Sequence, residues 1–244
     1  MAELFRICNL TKTFAGKDVL KNINLRIYRG EIFALIGPSG TGKTTFLRIL
    51  NLFEKPTNGI FEFDGKPVNG TPLEKNRIRQ RSSLLFQTPA VFNLSVFDNV
   101  AYGLKVRGFD KSTVEKKVKE ALGIVGLSGM ETQKARTLSG GEAQRMAFAR
   151  AIVYGPEVLL LDEPTANLDP SNVAKIEELI RHIRDKCGTT IVIATHNLPQ
   201  VKRIADRVGV LLEGKLIEVN SVGGIFTSPG DARSAAFLKG EMVY

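Results

Sequence analysis

Gly37-Pro38-Ser39-Gly40-Thr41-Gly42-Lys43-Thr44, followed by Thr45, fits the pattern G-x-x-x-x-G-K-[ST] in full. Glycines let the backbone curl until successive N–H groups point inward at phosphate oxygens. The helix expected after the loop adds its positive end, Lys43 neutralises charge on the outer phosphates, and the Thr44 hydroxyl can ligate Mg²⁺. A glycine-rich turn before an ordinary helix is the plain alternative. The apolar run Ile32–Gly37 before the loop and the helical spacing of Phe46, Leu47, Ile49 and Leu50 after it supply the strand and helix that phosphate binding requires.

A second cluster closes the apolar run Val158-Leu159-Leu160-Leu161. Asp162 and Glu163 follow it directly. Carboxylates at the end of a buried strand are costly unless paired or metal-bound. Asp162 can enter an Mg²⁺ shell, and Glu163 can act as general base on a water in line with the terminal phosphate. His196 ends another apolar run, Ile191–Thr195. In a parallel sheet the carboxyl ends of the strands share one crevice, which brings His196 near the same phosphate as a polar sensor. His182 lies within an expected helix and reads as structural.

Ser139-Gly140-Gly141-Glu142 is a third cluster. Serine followed three residues on by glutamate is a capping box, in which each residue satisfies a backbone N–H of the other. Ser112 and Glu115 have the same spacing at the expected start of an earlier helix, without glycines. Capping therefore accounts for Ser139 and Glu142 but not for Gly140-Gly141, and the pair predicts close approach of another group to the backbone, a second anion cradle.

These clusters must be positioned by strands alternating with helices, which predicts an α/β fold with a mainly parallel sheet. Strand-like runs crowd the first third of the chain. From residue 88 to 157 the pattern is helical, with Val114, Val118, Ala121, Leu122 and Val125 on one face. Strands return at 158 and 189, joined by a helix beginning at about Pro170 and ending before Gly188. The expected organisation is one domain over 1–244, with a core of 1–87 and 158–244 and an inserted helical lobe over 88–157.

The net charge of +9 would suit a nucleic acid, anionic lipid or polyphosphate partner. The basic residues are scattered, however, and the group Glu115–Glu120 reads as a solvated helix face. No apolar stretch approaches the ~18 residues of a membrane span. Cys8 and Cys187 are far apart in sequence and suggest a reducing compartment rather than a disulfide framework.

Together these residues resemble the nucleotide-binding subunits of ABC transporters. The loop at 37–45 is similar to the Walker A segment, Leu138–Glu142 to the family signature, Val158–Pro164 to Walker B, and Asn167–Pro170 to the D-loop. By the same resemblance, His196 is the switch histidine, Gln87 is the glutamine that joins Thr44 and Asp162 at Mg²⁺, and Phe14 is the aromatic that stacks on adenine. The resemblance covers nearly the whole chain in the family's order. It implies a RecA-like P-loop core with an N-terminal antiparallel β part and an inserted helical lobe. It also implies ATP and Mg²⁺ as cofactors, with Glu163, His196 and Lys43 as the catalytic group.

The resemblance further implies a head-to-tail homodimer, in which Ser139, Gly140, Gly141 and Glu142 bind the ATP held by the other subunit. Separate transmembrane permease subunits, and through them a solute-binding protein, are implied as partners. That places the chain at the cytoplasmic side of the membrane, with no nucleic acid expected. The segment 81–108 lies where the family contacts the permease. That segment, the region around the signature and the tail Ala236–Tyr244 are most similar to importers of tungstate-type oxyanions. An ABC exporter subunit would use the same motor, and a soluble ABC ATPase acting on ribosomes or DNA is a further alternative.

Overall fold

A computed structural model describes residues 2–241. Met242, Val243 and Tyr244, the end of the tail compared above, lie outside the described residues. The chain opens with two twelve-residue strands, β1 (Glu3–Phe14) and β2 (Lys17–Tyr28), and then β3 (Ile32–Ile36). After the helix α1 (Lys43–Leu50) come β4 (Asn58–Phe63), the short β5 (Lys66–Pro67), α2 (Pro72–Arg81) and β6 (Ser82–Leu85). Three helices follow: α3 (Val96–Val106), α4 (Lys111–Ile124) and, past a 3-10 turn at Ala135–Thr137, α5 (Gly140–Ile152). The remainder is β7 (Val158–Asp162), α6 (Pro170–Cys187), β8 (Thr190–Thr195), α7 (Leu198–Ile204), β9 (Arg207–Leu212), β10 (Lys215–Ser221), α8 (Val222–Thr227) and α9 (Ala232–Lys239).

Two sheets result. One has the order β2-β1-β4-β5 and is antiparallel. The other has the order β10-β9-β3-β8-β7-β6 and is parallel apart from its edge strand β10. The central strands β3, β7 and β8 are buried along their whole length. This explains their unbroken apolar runs, since a parallel strand is covered on both faces.

The two faces sort cleanly by alternation. Phe33, Leu35, Val158, Leu160, Val192 and Ala194 pack with α1 and the antiparallel sheet. Ile32, Ala34, Ile36, Leu159, Leu161, Ile191 and Ile193 face a second core. Helices α3, α4, α5, α6 and α7 cover that second face, with Val100, Val118, Phe148, Ile180 and Val201 in the same cluster. Between β6 and β7 the described residues form helices joined by turns and one isolated bridge, Ser95 to Lys134, and the apolar sides of the helices continue the core of the sheet.

Local chemistry sets the helix ends. Asp169 caps α6, Pro170 occupies its first turn, and Gly188 closes it in the left-handed conformation. One capping expectation is corrected. Helix α4 is capped by Asp110, whose carboxylate accepts from the Thr113 backbone N–H and the Thr113 hydroxyl. Ser112 therefore lies inside the first turn. Asp110 wins because a carboxylate two residues earlier accepts both donors and favours the positive end of the helix.

Candidate active site

The loop between β3 and α1 positions Lys43. Gly42 caps α1 with φ 104, and a Cβ there would lie 2.9 Å from the Val19 carbonyl oxygen, so both conformation and space demand glycine. Thr41 Oγ1 donates to the Pro38 carbonyl at 2.9 Å. Lys43 is buried, and its Nζ donates to the carbonyls of Gly37 at 2.7 Å and Pro38 at 2.8 Å. Burial holds its pKa below the usual lysine range, against the opposing charges of Glu163 and Asp162.

The crevice at the strand ends gathers most of the residues picked out in the sequence. Ser39, Gly40, Gly42, Lys43, Thr44 and Thr45 line one cavity of about 270 Å³ together with Gln87, Asp162 and Glu163. Asp162 is buried, which pushes its carboxyl above the ordinary range, while a hydrogen bond from the Thr44 side chain pulls the other way. A larger cavity of about 600 Å³, bounded by Lys17, Lys21, Leu212 and Arg233, shares Val19, Ser39 and Gly40 with the first. Phe14 lines neither cavity. It is 42% exposed, with Lys12 Nζ 4.4 Å from its ring centroid, and it pairs with Lys17 in the β1–β2 ladder.

Glu163 is held in an unusual way. Its φ is +45°, a conformation that costs a non-glycine residue on the order of 1–3 kcal/mol and persists only where the surroundings impose it. Its N–H donates to the Ala194 carbonyl at 2.8 Å. Its Oε2 accepts from Thr195 Oγ1 at 3.0 Å and from the His196 backbone N–H at 3.4 Å. Its Oε1 lies 2.8 Å from His196 Nδ1. His196 thus contacts the carboxylate directly, a contact the sequence expectation of a phosphate sensor does not include.

Ser139-Glu142 forms its capping box. The Ser139 N–H and hydroxyl each donate to Glu142 Oε2 at 2.8 Å, and the Glu142 N–H points back to Ser139 Oγ at 3.4 Å. The Ser139 N–H, with its hydroxyl, holds the Glu142 carboxyl below its ordinary value. The two glycines separate. A Cβ on Gly141 would sit 2.4 Å from Asn172 Oδ1, whereas one on Gly140 would meet nothing within 4 Å. At Gly141 this chain's own α6 approaches closely, while at Gly140 the space a Cβ would take is open. None of residues 139–142 lines the cavity that contains Lys43.

Two glutamines that the sequence reading missed tie these parts together. Gln144, buried on α5, donates to the Pro164 carbonyl at 2.8 Å, and Gln200, buried on α7, donates to Thr165 Oγ1 at 3.0 Å. The turn following Glu163 is thus clamped from both sides. Neither glutamine has a local pattern that announces the contact.

Residues 20–166 match the family model described as "ABC transporter". The chain belongs to that family. The cassette is 45% identical to the phosphate import ATP-binding protein PstB 2 of Natronomonas pharaonis, over 98% of this chain and 87% of that one. It is 42% identical to a probable anion import ATP-binding protein of Haloferax volcanii, over 95% and 85%. It is 40% identical to the spermidine/putrescine import ATP-binding protein PotA of Spiroplasma citri, over 97% and 67%. Among solved structures, the dimeric post-hydrolysis state of the ATP-binding cassette MJ0796, bound to ADP and Pi, superposes with a TM-score of 0.82 at 30% identity, over 90% of this chain and 99% of that one. The chain accordingly has the ABC cassette fold and is an ATP-binding ATPase.

Proposed function

We propose that this cassette is the ATP-hydrolysing subunit of an importer for an anion of the tungstate, or related oxyanion, class. Two copies work together on separate membrane subunits, at the cytoplasmic face. The observation that carries the dimer is the separation of the two phosphate-friendly clusters. Ser139, Gly140, Gly141 and Glu142 lie outside the Lys43 cavity of the same chain, and the Gly140 backbone is open. A cradle with no ligand of its own chain to hold is explained by a second copy that supplies one. The structure of MJ0796 as a dimer with ADP and Pi supports this arrangement.

Within one site, ATP's phosphates occupy the Lys43 cavity, and its nucleoside end extends past Ser39 and Gly40 into the larger cavity beside the Lys17–Phe14 pair. Thr44, Gln87 and Asp162, whose side chains carry hydroxyl, amide and carboxylate oxygens, line the same space. Such hard donors suit Mg²⁺, which binds through few protein oxygens and keeps phosphate and water ligands. When bound, the ion neutralises charge on the phosphates. Lys43 adds a second positive charge, and Glu163 takes the proton of the attacking water. The helices between 88 and 157 act as the lobe that conveys closure to the membrane partner.

The anion class draws support from the two relatives named for phosphate and anion import. The polyamine relative at 40% identity shows that membership of the family leaves the solute open. No helix of the described residues is long and apolar enough to cross a membrane, so the transport reading calls for membrane subunits.

Mixing two inactive variants tests the shared site. In a heterodimer of Lys43→Ala and Ser139→Ala, one site carries both lesions and the other has an intact loop facing an intact Ser139. Partial ATPase activity is expected on mixing, although each variant alone is nearly inactive. No recovery, with heterodimer formation confirmed, returns Ser139 to the role of a helix cap worth ~1 kcal/mol. The solute is tested by co-purifying the membrane subunits, reconstituting them and comparing tungstate, phosphate and spermidine as stimulants of ATPase activity.

A further inference from the structure

We propose that Thr195 is a positioning residue for ATP hydrolysis, its hydroxyl holding the Glu163 carboxylate where it receives the proton of the attacking water. This rests on the reading of Glu163 as general base. Thr195 is the last residue of β8 and is fully buried. Its Oγ1 lies 3.0 Å from Glu163 Oε2 and 3.0 Å from the Asn197 backbone nitrogen. A backbone N–H can only donate, so the Asn197 amide occupies a lone pair of the hydroxyl. The hydroxyl proton is left for the carboxylate, and its direction is thereby fixed.

The other contacts to the same carboxylate are less constant. The His196 backbone N–H is at 3.4 Å, a long hydrogen bond. The His196 ring is at 2.8 Å, but its side chain is 62% exposed, and whether Nδ1 donates depends on its tautomer. An exposed ring is free to leave the carboxylate for another group. Thr195 is not, being enclosed at the end of a strand paired on both sides with β3 and β7. Glu163 itself needs such support. Its left-handed backbone is tied to the β8 end by one bond, from its N–H to the Ala194 carbonyl, which leaves the carboxylate to be held by its own contacts. With a fixed donor on Oε2, Oε1 becomes the oxygen to meet the water once the exposed His196 ring leaves it.

The experiment compares Thr195→Val, Thr195→Ser, Glu163→Gln and the double variant Glu163→Gln/Thr195→Val. Equilibrium binding of a fluorescent ATP analogue is measured beside steady-state and single-turnover hydrolysis. Valine keeps the volume and removes both hydrogen bonds. Serine keeps the hydroxyl. Thr195→Val is expected to lower kcat about 10-fold, the order of one hydrogen bond to a charged group, with KM and analogue affinity within about two-fold of wild type. Thr195→Ser recovers most of the rate. In the Glu163→Gln background the valine causes no further loss, because both changes disable one unit.

A purely structural threonine gives a different pattern. Its valine variant binds less analogue per protein, or loses the same factor of rate whether or not Glu163 is present. Either result overturns the positioning role, as does wild-type kcat in Thr195→Val. That last outcome leaves the base reading standing. Wild-type turnover in Glu163→Gln removes the base reading, and the positioning role goes with it.

Discussion

Gly141 and Asn172 approach so closely that a single added methyl group would lie 2.4 Å from Asn172 Oδ1. Asn172 cannot easily retreat, since Arg145 Nη1 donates to it at 3.1 Å and its own Nδ2 donates to Asp169 at 2.6 Å. The start of α5 is thereby fastened to the start of α6. Gly140, one residue earlier, has no such neighbour. Gly141→Ala is therefore expected to destabilise the isolated chain by ~1–3 kcal/mol, the usual range for overpacking. Gly140→Ala leaves stability unchanged or raises it by up to ~1 kcal/mol, because alanine is the better helix former. On the shared-site proposal its ATPase activity is nevertheless expected to fall, because the added methyl group would stand where the second subunit's phosphate approaches. Thermal melts and ATPase assays on the two variants check this. Equal loss of stability in both contradicts it.

Glu163→Gln keeps the Asp162 and Thr44 oxygens and the Lys43 charge. It is expected to bind Mg-ATP while turnover falls ~10²–10⁴-fold, the usual cost of losing a general base. ATP that is bound but not hydrolysed should hold two copies together. Size-exclusion chromatography in saturating ATP should show a dimer that wild type does not accumulate. A monomer at high protein concentration speaks against the shared site.

Phe14→Ala is expected to raise KM for ATP about tenfold, with kcat little changed. Base–aromatic stacking is worth ~1–3 kcal/mol and is present before and after the chemical step alike. The ring is 42% exposed, and Lys12 approaches it at 4.4 Å from the centroid. A fall in kcat at unchanged KM would assign Phe14 to packing of the β1–β2 ladder instead.

How much of this was legible in the sequence depended on the distance over which each feature is determined. The loop at 37–45 is a local motif, and the Ser139–Glu142 box closes within one turn, so both could be read directly. The apolar runs of β3, β7 and β8 followed from burial on both faces. Helix α2 left little trace because Ile78 is its one buried residue, so periodicity has almost nothing to report. The tight packing at Gly141 could not be read, because it is set by Asn172 thirty-one positions later. Thr195 and Gln144 were silent for the same reason. Each acts through a partner that only the assembled sheet and helices bring within hydrogen-bond reach. At Asp110 the error was one of competition, since two capping residues stood two positions apart and the stronger acceptor prevailed.

The two sheets are joined by an ion network whose pH dependence can be worked out. Arg81, at the end of α2, donates to Glu157 at 2.6 and 2.7 Å and to Asp64 at 2.9 Å. Arg29, following β2, reaches the same two carboxylates. The Arg81 guanidinium is the main reason that both carboxyls are held below their ordinary values. A carboxylate whose folded pKa lies below its unfolded one contributes stability above the ordinary carboxylate range, and that stability is lost as pH falls through the folded value. Wild type should therefore lose thermal stability as the pH drops from about 5 to 3. Arg81→Met should be less stable at pH 7 and should lose less over the same interval. Both carboxylates are more than a third exposed, which limits the network to ~1 kcal/mol. For a chain of this length that is about 2–4 °C in Tm. Melting curves of both proteins across that pH range provide the check. Parallel profiles would mean that Arg81 acts through its stacking on Phe63, 4.7 Å from the ring centroid, rather than through charge.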